Sequence, residues 1–174
     1  MQRTVLEGAA TGAVLGGVGT ALFGGDGEDV VKGALIGGVA GAAAGTYVGY
    51  LQQQYASDED RLERLRADID RTNAETEAAV RNMRAVLEMN RRQLAAARAD
   101  PAEDLPAAEQ AAERDLANMR LVTAGAERRL KEFQSTRSLE LVAGQATGVD
   151  SQISELSRRI ADMRAITNTM AGEV

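Results

Sequence analysis

The chain has 174 residues and a formal net charge of −6, and it contains no histidine, cysteine or tryptophan. The residues that most often serve as bases, nucleophiles or transition-metal ligands are therefore missing, so we expect no enzyme, no metal and no other cofactor. A negative chain with so few aromatic residues also lacks the cations and stacking groups that nucleic acid requires, so we expect no nucleic-acid partner.

Glycine recurs at every fourth position in the first third of the chain. The two series are Gly8, Gly12, Gly16 and Gly33, Gly37, Gly41, Gly45, Gly49. In water each helical glycine costs about 1 kcal/mol relative to alanine, so a soluble helix rarely carries so many. In lipid, helices associate through close backbone contact at small residues spaced by four. The spacing therefore predicts membrane helices that pack and oligomerise through these glycines.

Two uncharged stretches, residues 8–25 and 33–57, flank a charged turn around Asp26. This pattern predicts a helical hairpin with helices over roughly 4–24 and 30–52. A helix over residues 33–51 would be about 28 Å long, which is close to the thickness of a hydrocarbon core of about 30 Å.

Four aromatic residues lie at the two ends of this predicted hairpin. Phe23 is at the turn, and Tyr47, Tyr50 and Tyr55 cluster at the opposite end. Aromatic side chains are enriched at both membrane–water interfaces, so we expect these four to be interface anchors. The alternative is that they cap a soluble hairpin.

The glycines from Gly8 to Gly16, the Gly-Asp turn and the glycines from Gly33 to Gly49 resemble a glycine-zipper domain with two membrane helices. That domain occurs in bacterial outer-membrane lipoproteins of the SlyB type and in rickettsial surface antigens. The resemblance covers the first third of the chain and implies an envelope location, membrane insertion and homo-oligomerisation. This sequence departs from the family pattern at its N-terminus, where it has no lipobox cysteine.

Residues 57–174 have heptad spacing and predict coiled-coil helices over about 58–99, 107–134 and 138–171. Ser57 followed by Asp60 predicts a helix start, although one helix running unbroken from 30 to about 99 is an alternative. The prolines at 101 and 106 predict the next break. The segment Ser135–Ser138 predicts the last break between helices, with Gly144 and Gly148 as competing positions.

The apolar positions of the heptads form one predicted seam along each of the three helices. The predicted seams are Leu62, Leu65, Ile69, Thr72, Thr76, Val80, Met83, Leu87, Asn90, Leu94 and Ala97; Leu116, Met119, Thr123, Ala126, Leu130 and Phe133; and Val142, Ala146, Val149, Ile153, Leu156, Ile160, Met163, Thr167 and Met170.

Polar residues interrupt these seams, and charged residues cover the outer faces. Asn90 and Thr123 either set the register and oligomer number or mark loose packing. Asp60 and Arg64 have the i,i+4 order of a helix-supporting pair on a solvated face.

The sequence thus predicts an all-α protein with a glycine-zipper membrane hairpin over residues 1–56 and a coiled-coil region over 57–174. The expected function is that of a non-enzymatic protein of the bacterial cell envelope that self-assembles through its glycine-zipper helices into a homo-oligomeric ring or scaffold. It is expected in the outer membrane, with the coiled-coil region forming a collar in the periplasm. The expected partners are the lipid bilayer, further copies of the chain and another envelope protein. An oligomeric pore and a soluble coiled-coil adaptor are the alternatives.

Overall fold

A computed structural model describes four helices, which lie within residues 47–100, 104–140 and 147–174. The helices are α1 (Tyr47–Gln54), α2 (Asp58–Ala99), α3 (Leu105–Glu140) and α4 (Thr147–Ala171). The three long helices pack pairwise against one another as a bundle, and α1 packs on α3 and α2. The described residues contain no strand, which confirms the all-α prediction.

Most of the predicted hairpin lies outside the described residues. Phe23 and all of the series glycines except Gly49 belong to that part of the chain, so their roles stay predictions. None of the described helices has both the length and the apolar composition that crossing a bilayer requires.

The chain leaves the helical conformation between α1 and α2, so the alternative of one unbroken helix is wrong. Ser57 has extended backbone angles (φ −98°, ψ 151°) and is the N-cap of α2. Its hydroxyl accepts a hydrogen bond from the Asp60 amide at 3.1 Å. The cap that the sequence predicts is thus confirmed, because it satisfies an amide that has no partner within the first turn.

The heptad seams form the core of the bundle. In α2 every predicted seam residue is buried except Leu62, which is half-buried. In α4 the described seam residues, from Val149 to Met170, are all buried. One apolar cluster contains Met83, Met119 and Met163, and a second cluster, at the end where α1 docks, contains Phe133.

The predicted break at Ser135–Ser138 is wrong, because α3 continues through it to Glu140. The Thr136 hydroxyl donates to the Glu132 carbonyl at 2.8 Å, and the Ser138 hydroxyl donates to the Ser135 carbonyl at 2.7 Å. Both hydroxyls therefore bond within their own helix rather than ending it. The competing break at Gly148 is also wrong, since Gly148 lies inside α4, while Gly144 lies outside the described residues.

The polar seam residues Asn90 and Thr123 both form hydrogen bonds. The Thr123 hydroxyl donates to the Met119 carbonyl at 2.8 Å within its own helix. The Asn90 amide nitrogen donates to the Val86 carbonyl of its own helix at 3.0 Å and also to the Asp115 carboxylate of α3 at 2.8 Å. The Asn90–Asp115 hydrogen bond links α2 to α3, while Asn90 Oδ1 is buried without a partner among the described residues, so the register role of Asn90 stays a prediction.

Gly125 lies in the middle of α3, at a position where packing does not require a glycine. A Cβ atom built on it would meet no atom within 4 Å among the described residues. We therefore expect Gly125→Ala to raise the free energy of unfolding by about 0.5–1 kcal/mol, because alanine has less backbone entropy to lose. Urea unfolding followed by circular dichroism measures this change. The neighbouring exposed Ala124, replaced by glycine, should show a loss of similar size, and equal midpoints for the two variants would contradict the prediction.

Candidate functional site

The candidate site is the joint where α1, the continuation of the glycine series, meets the bundle. We define the joint as Tyr47, Arg64, Asp68, Arg129 and Phe133. Tyr47 is 4% exposed and Leu51 is 1% exposed, so α1 presents its apolar side to the bundle. Both residues belong to the core cluster that contains Phe133.

A buried hydrogen bond ties α1 to α2. The Tyr47 hydroxyl donates to the Asp68 carboxylate at 2.7 Å, and Arg64 Nε donates to the same oxygen at 3.1 Å. Burial of the ring, together with the charge and hydrogen bond of Asp68, raises the pKa of Tyr47. The phenol therefore stays protonated and remains a donor throughout the physiological pH range.

Arg64 remains charged beside this pair. Burial alone would lower the pKa of Arg64, but the Asp68 carboxylate and the nearby tyrosines raise it above its ordinary value. The Arg64 side chain is 36% exposed and the Asp68 side chain is 6% exposed. Arg64 thus neutralises a carboxylate that water barely reaches, which is the condition under which a buried charge is tolerated.

Arg129 of α3 covers the aromatic part of the joint. Its guanidinium carbon lies 5.7 Å from the Tyr47 ring centroid and 5.3 Å from that of Phe133. The two rings meet edge to face with centroids 5.7 Å apart. Both arrangements are favourable because the ring edge is positive and the ring face is negative. Arg129 Nη1 also lies 3.6 Å from the Glu132 carboxylate, too far for a hydrogen bond but within ion-pair range.

A half-buried carboxylate, Glu75, lies near the joint. Burial raises the pKa of Glu75, and the positive charges of Arg71 and Arg129 oppose that shift. Glu75 thus lies within electrostatic reach of two residues of the joint, Asp68 and Arg129.

Farther along the bundle, α3 and α4 are fastened to each other. Arg137 donates two hydrogen bonds to the Asp150 carboxylate, at 2.7 and 2.9 Å. The hydrogen bond from Arg137 lowers the pKa of Asp150. This pair holds the first turn of α4 beside the last turns of α3.

The three predicted interface anchors that the structure describes differ in their exposure to solvent. Tyr47 lies in the protein interior, with its ring on Phe133, instead of facing a lipid interface. Tyr50 is 43% exposed and stacks on Tyr47 with ring centroids 6.3 Å apart, while Tyr55 is half-buried beside the same core cluster. The interface roles of Tyr50 and Tyr55 stay predictions. Gly49 lies partly buried in α1.

Sequence reasoning missed the polar half of the joint. The pattern predicts Arg64 as the partner of Asp60, whereas Arg64 bonds Asp68 in the next turn of α2. Two signals were available in the sequence: Asp68 lies four residues after Arg64, and it directly precedes the seam residue Ile69, a position beside the core where a charged residue is unusual. The partner of Asp68, Tyr47, is 21 residues away and on another helix.

The arrangement is suited to holding α1 in a fixed position on the bundle, because the Tyr47 hydroxyl bonds Asp68 of α2 and the Tyr47 ring lies under Arg129 of α3. Within residues 47–100, 104–140 and 147–174, no group of three or more acidic residues has the geometry of a metal site. Comparison of the chain with protein-family models, with the sequences of curated proteins and with solved structures gives no match in any of the three.

Proposed function

We propose that this protein is a non-enzymatic scaffold of the bacterial cell envelope. Its glycine-rich helices insert into the membrane and self-associate, and the helical bundle forms a periplasmic collar around the oligomer. The observation that carries the proposal is the joint: α1 continues the glycine series through Gly49, and its Tyr47 and Leu51 are buried against the bundle.

The joint supports this function because it fixes α1, the helix that carries Gly49 at the end of the glycine series, against the bundle. A flexible linker would let the bundle drift away from the segment that precedes it. Here only residues 55–57 separate α1 from α2, and the Tyr47–Asp68 hydrogen bond crosses that gap. Association through the glycines would therefore bring the bundles of neighbouring copies together.

The oligomer is tested by replacing Gly41 with leucine. We expect Gly41→Leu to shift most of the protein from the oligomer to the monomer on native gels in detergent. A leucine where two helix backbones touch costs about 1–3 kcal/mol of overpacking, which weakens association by roughly fivefold to a hundredfold. The matched control is Ala43→Leu, which lies about 200° away around a helix and off the glycine spacing. An unchanged oligomer in Gly41→Leu would refute association through this series.

Membrane insertion is tested separately by alkaline carbonate extraction of membranes from cells that express the chain with an export signal. Retention in the pellet until detergent is added is the expected result. Release into the supernatant would contradict insertion and favour a soluble coiled-coil adaptor.

A further inference from the structure

The helix α1 packs against α2 and α3 at one end of the groove between them. Tyr55, the residue that follows α1, lies beside the start of α2, where Arg61 donates to its carbonyl at 2.9 Å. Tyr47, the first residue of α1, bonds Asp68, which is seven residues further along α2 than Arg61. α1 therefore runs antiparallel to α2, and its N-terminal end points along the groove toward the middle of the bundle.

The groove continues beyond α1 on both helices. On α2, Asp68 is followed at intervals of seven by Glu75 and Asn82, and on α3, Arg129 is preceded by seven residues by Val122. Residues seven apart lie on nearly the same side of a helix, so these residues extend the walls that α1 contacts. Glu75, Asn82 and Val122 are all half-buried.

This continuation of the groove has small walls and room between them. Ala78 of α2 and Gly125 of α3 lie within one turn of the wall positions, and both are half-buried. A Cβ atom built on Gly125 would meet no atom within 4 Å among the described residues. In the described part of the chain, no ion pair or side-chain hydrogen bond joins α2 residues 75–82 to α3 residues 122–129. Another helix can therefore come close to both backbones here.

The two seams that α4 forms are different. Arg84 pairs with Asp162 across the seam between α2 and α4, and Arg137 pairs with Asp150 across the seam between α3 and α4. The middle of the α2–α3 groove is instead uncharged. An uncharged occupant suits it, because such an occupant brings no charge that must be removed from water.

We propose that the chain's own segment over residues 33–46 occupies this groove before the protein inserts into a membrane. The segment contains no charged residue, and it ends where α1 begins, at the occupied end of the groove. As a helix it is about 21 Å long, which is the length of α2 from Asp68 to Asn82. This contact rests on the proposed membrane function and describes the stage that precedes insertion.

The residue spacing of the segment assigns one of its sides to the groove. Ala44, Ala40 and Ile36 precede Tyr47 by three, seven and eleven residues, which continues the buried side of α1. Gly45 lies two residues before Tyr47, about 200° around a helix. Docking therefore shields the side of Ile36 from water and leaves the side of Gly45 for the other helix of the predicted hairpin.

The first test is a disulfide within one copy of the full-length protein. The chain has no native cysteine, so Ala40→Cys with Gly125→Cys introduces the only two thiols. Ala40 lies seven residues before Tyr47, and Gly125 lies four residues before Arg129, which covers the Tyr47 ring. Docking should therefore bring the two Cα atoms within the separation of about 7 Å that a disulfide requires.

The matched control moves the first cysteine to Ala42, about 200° around the helix from Ala40. In solution without detergent, mild oxidation should close the Ala40 pair within the monomer at least about tenfold faster than the Ala42 pair. Nonreducing gels after alkylation of the free thiols measure both rates. Equal rates for the two pairs, or disulfides between copies only, would overturn the proposal.

The second test separates groove docking from membrane insertion. The oxidised Ala40→Cys, Gly125→Cys protein and the same protein after reduction are mixed with vesicles of phosphatidylethanolamine and phosphatidylglycerol. After alkaline carbonate extraction, the reduced protein should stay with the vesicles, whereas the oxidised protein should be released, because its segment cannot leave the groove. Equal retention of both forms would overturn the proposal.

The two tests together distinguish failure of the groove contact from failure of the proposed function. A disulfide that closes within the monomer, in a protein that is released from vesicles even when reduced, would support the groove contact and refute membrane insertion. Slow closure of the Ala40 pair, in a reduced protein that the vesicles retain, would refute the groove contact and leave the membrane scaffold standing.

Discussion

Replacing Phe133 by alanine should lower the free energy of unfolding of the bundle by about 3–5 kcal/mol, the cost typical of removing a buried aromatic ring. Phe133 is completely buried, and it belongs to the core cluster to which all four described helices contribute. Removing the ring leaves a cavity among them and also takes away the surface on which Arg129 and Tyr47 rest. Urea unfolding followed by circular dichroism measures the loss.

Two variants control for this expectation. Phe133→Leu keeps most of the apolar volume, so it should lose clearly less stability than the alanine variant. Leu121→Ala removes an exposed side chain from the same helix and should change stability by no more than about 0.5 kcal/mol. A Phe133→Ala protein as stable as Leu121→Ala would mean that the four helices do not share one core at this point.

Most of the buried positions of the long helices could be predicted from the sequence, because burial in a helical bundle repeats every three or four residues. Leu65, Ile69 and Met83 fall on a seam that repeats every three or four residues, and all three are buried. The start of α2 was readable because a cap depends on residues within one turn, here Ser57 and the Asp60 amide. Features that depend on neighbours along the chain were therefore accessible to sequence reasoning.

The predicted end of α3 at Ser135–Ser138 is wrong because serine and threonine hydroxyls can form two kinds of hydrogen bond with similar energies. Thr136 can end a helix by bonding to nonhelical backbone, or it can bond to the carbonyl of Glu132 one turn earlier. In the fold Thr136 is completely buried, so packing decides in favour of the helix. Local propensity is a weak guide where tertiary contacts supply the larger energy.

The joint was missed because its partners are far apart in the sequence. The neighbours of Tyr47, which include Tyr50 and a long uncharged stretch, predict a place at a lipid interface. Nothing in that stretch reveals that Asp68, on the next helix, supplies an acceptor for the Tyr47 hydroxyl. Periodicity identifies which face of a helix is buried, but it does not identify which buried groups meet.

Replacing Asp68 by alanine should release α1 from the bundle. The Tyr47 hydroxyl would lose its acceptor while remaining buried, and an unsatisfied buried donor costs about 1–3 kcal/mol. Arg64 is partly exposed and can be solvated, so most of the cost falls on Tyr47. Because α1 has only eight residues, it should open on its own before the bundle unfolds. Hydrogen exchange at the amides of Tyr47–Gln54 should accelerate roughly fivefold to a hundredfold.

A double-mutant cycle isolates this bond from other effects of the substitutions. Tyr47→Phe removes the donor, and combined with Asp68→Ala it should cost less than the sum of the two single changes, with a coupling of about 0.5–3 kcal/mol. Asp68→Asn keeps an oxygen acceptor and should protect α1 better than alanine does. Exchange in α2 beyond the joint, around Met83, should stay slow in every variant, since that residue lies in the other core cluster. If α1 exchanges equally in wild type and Asp68→Ala, then apolar burial of Leu51 holds it and the hydrogen bond does not.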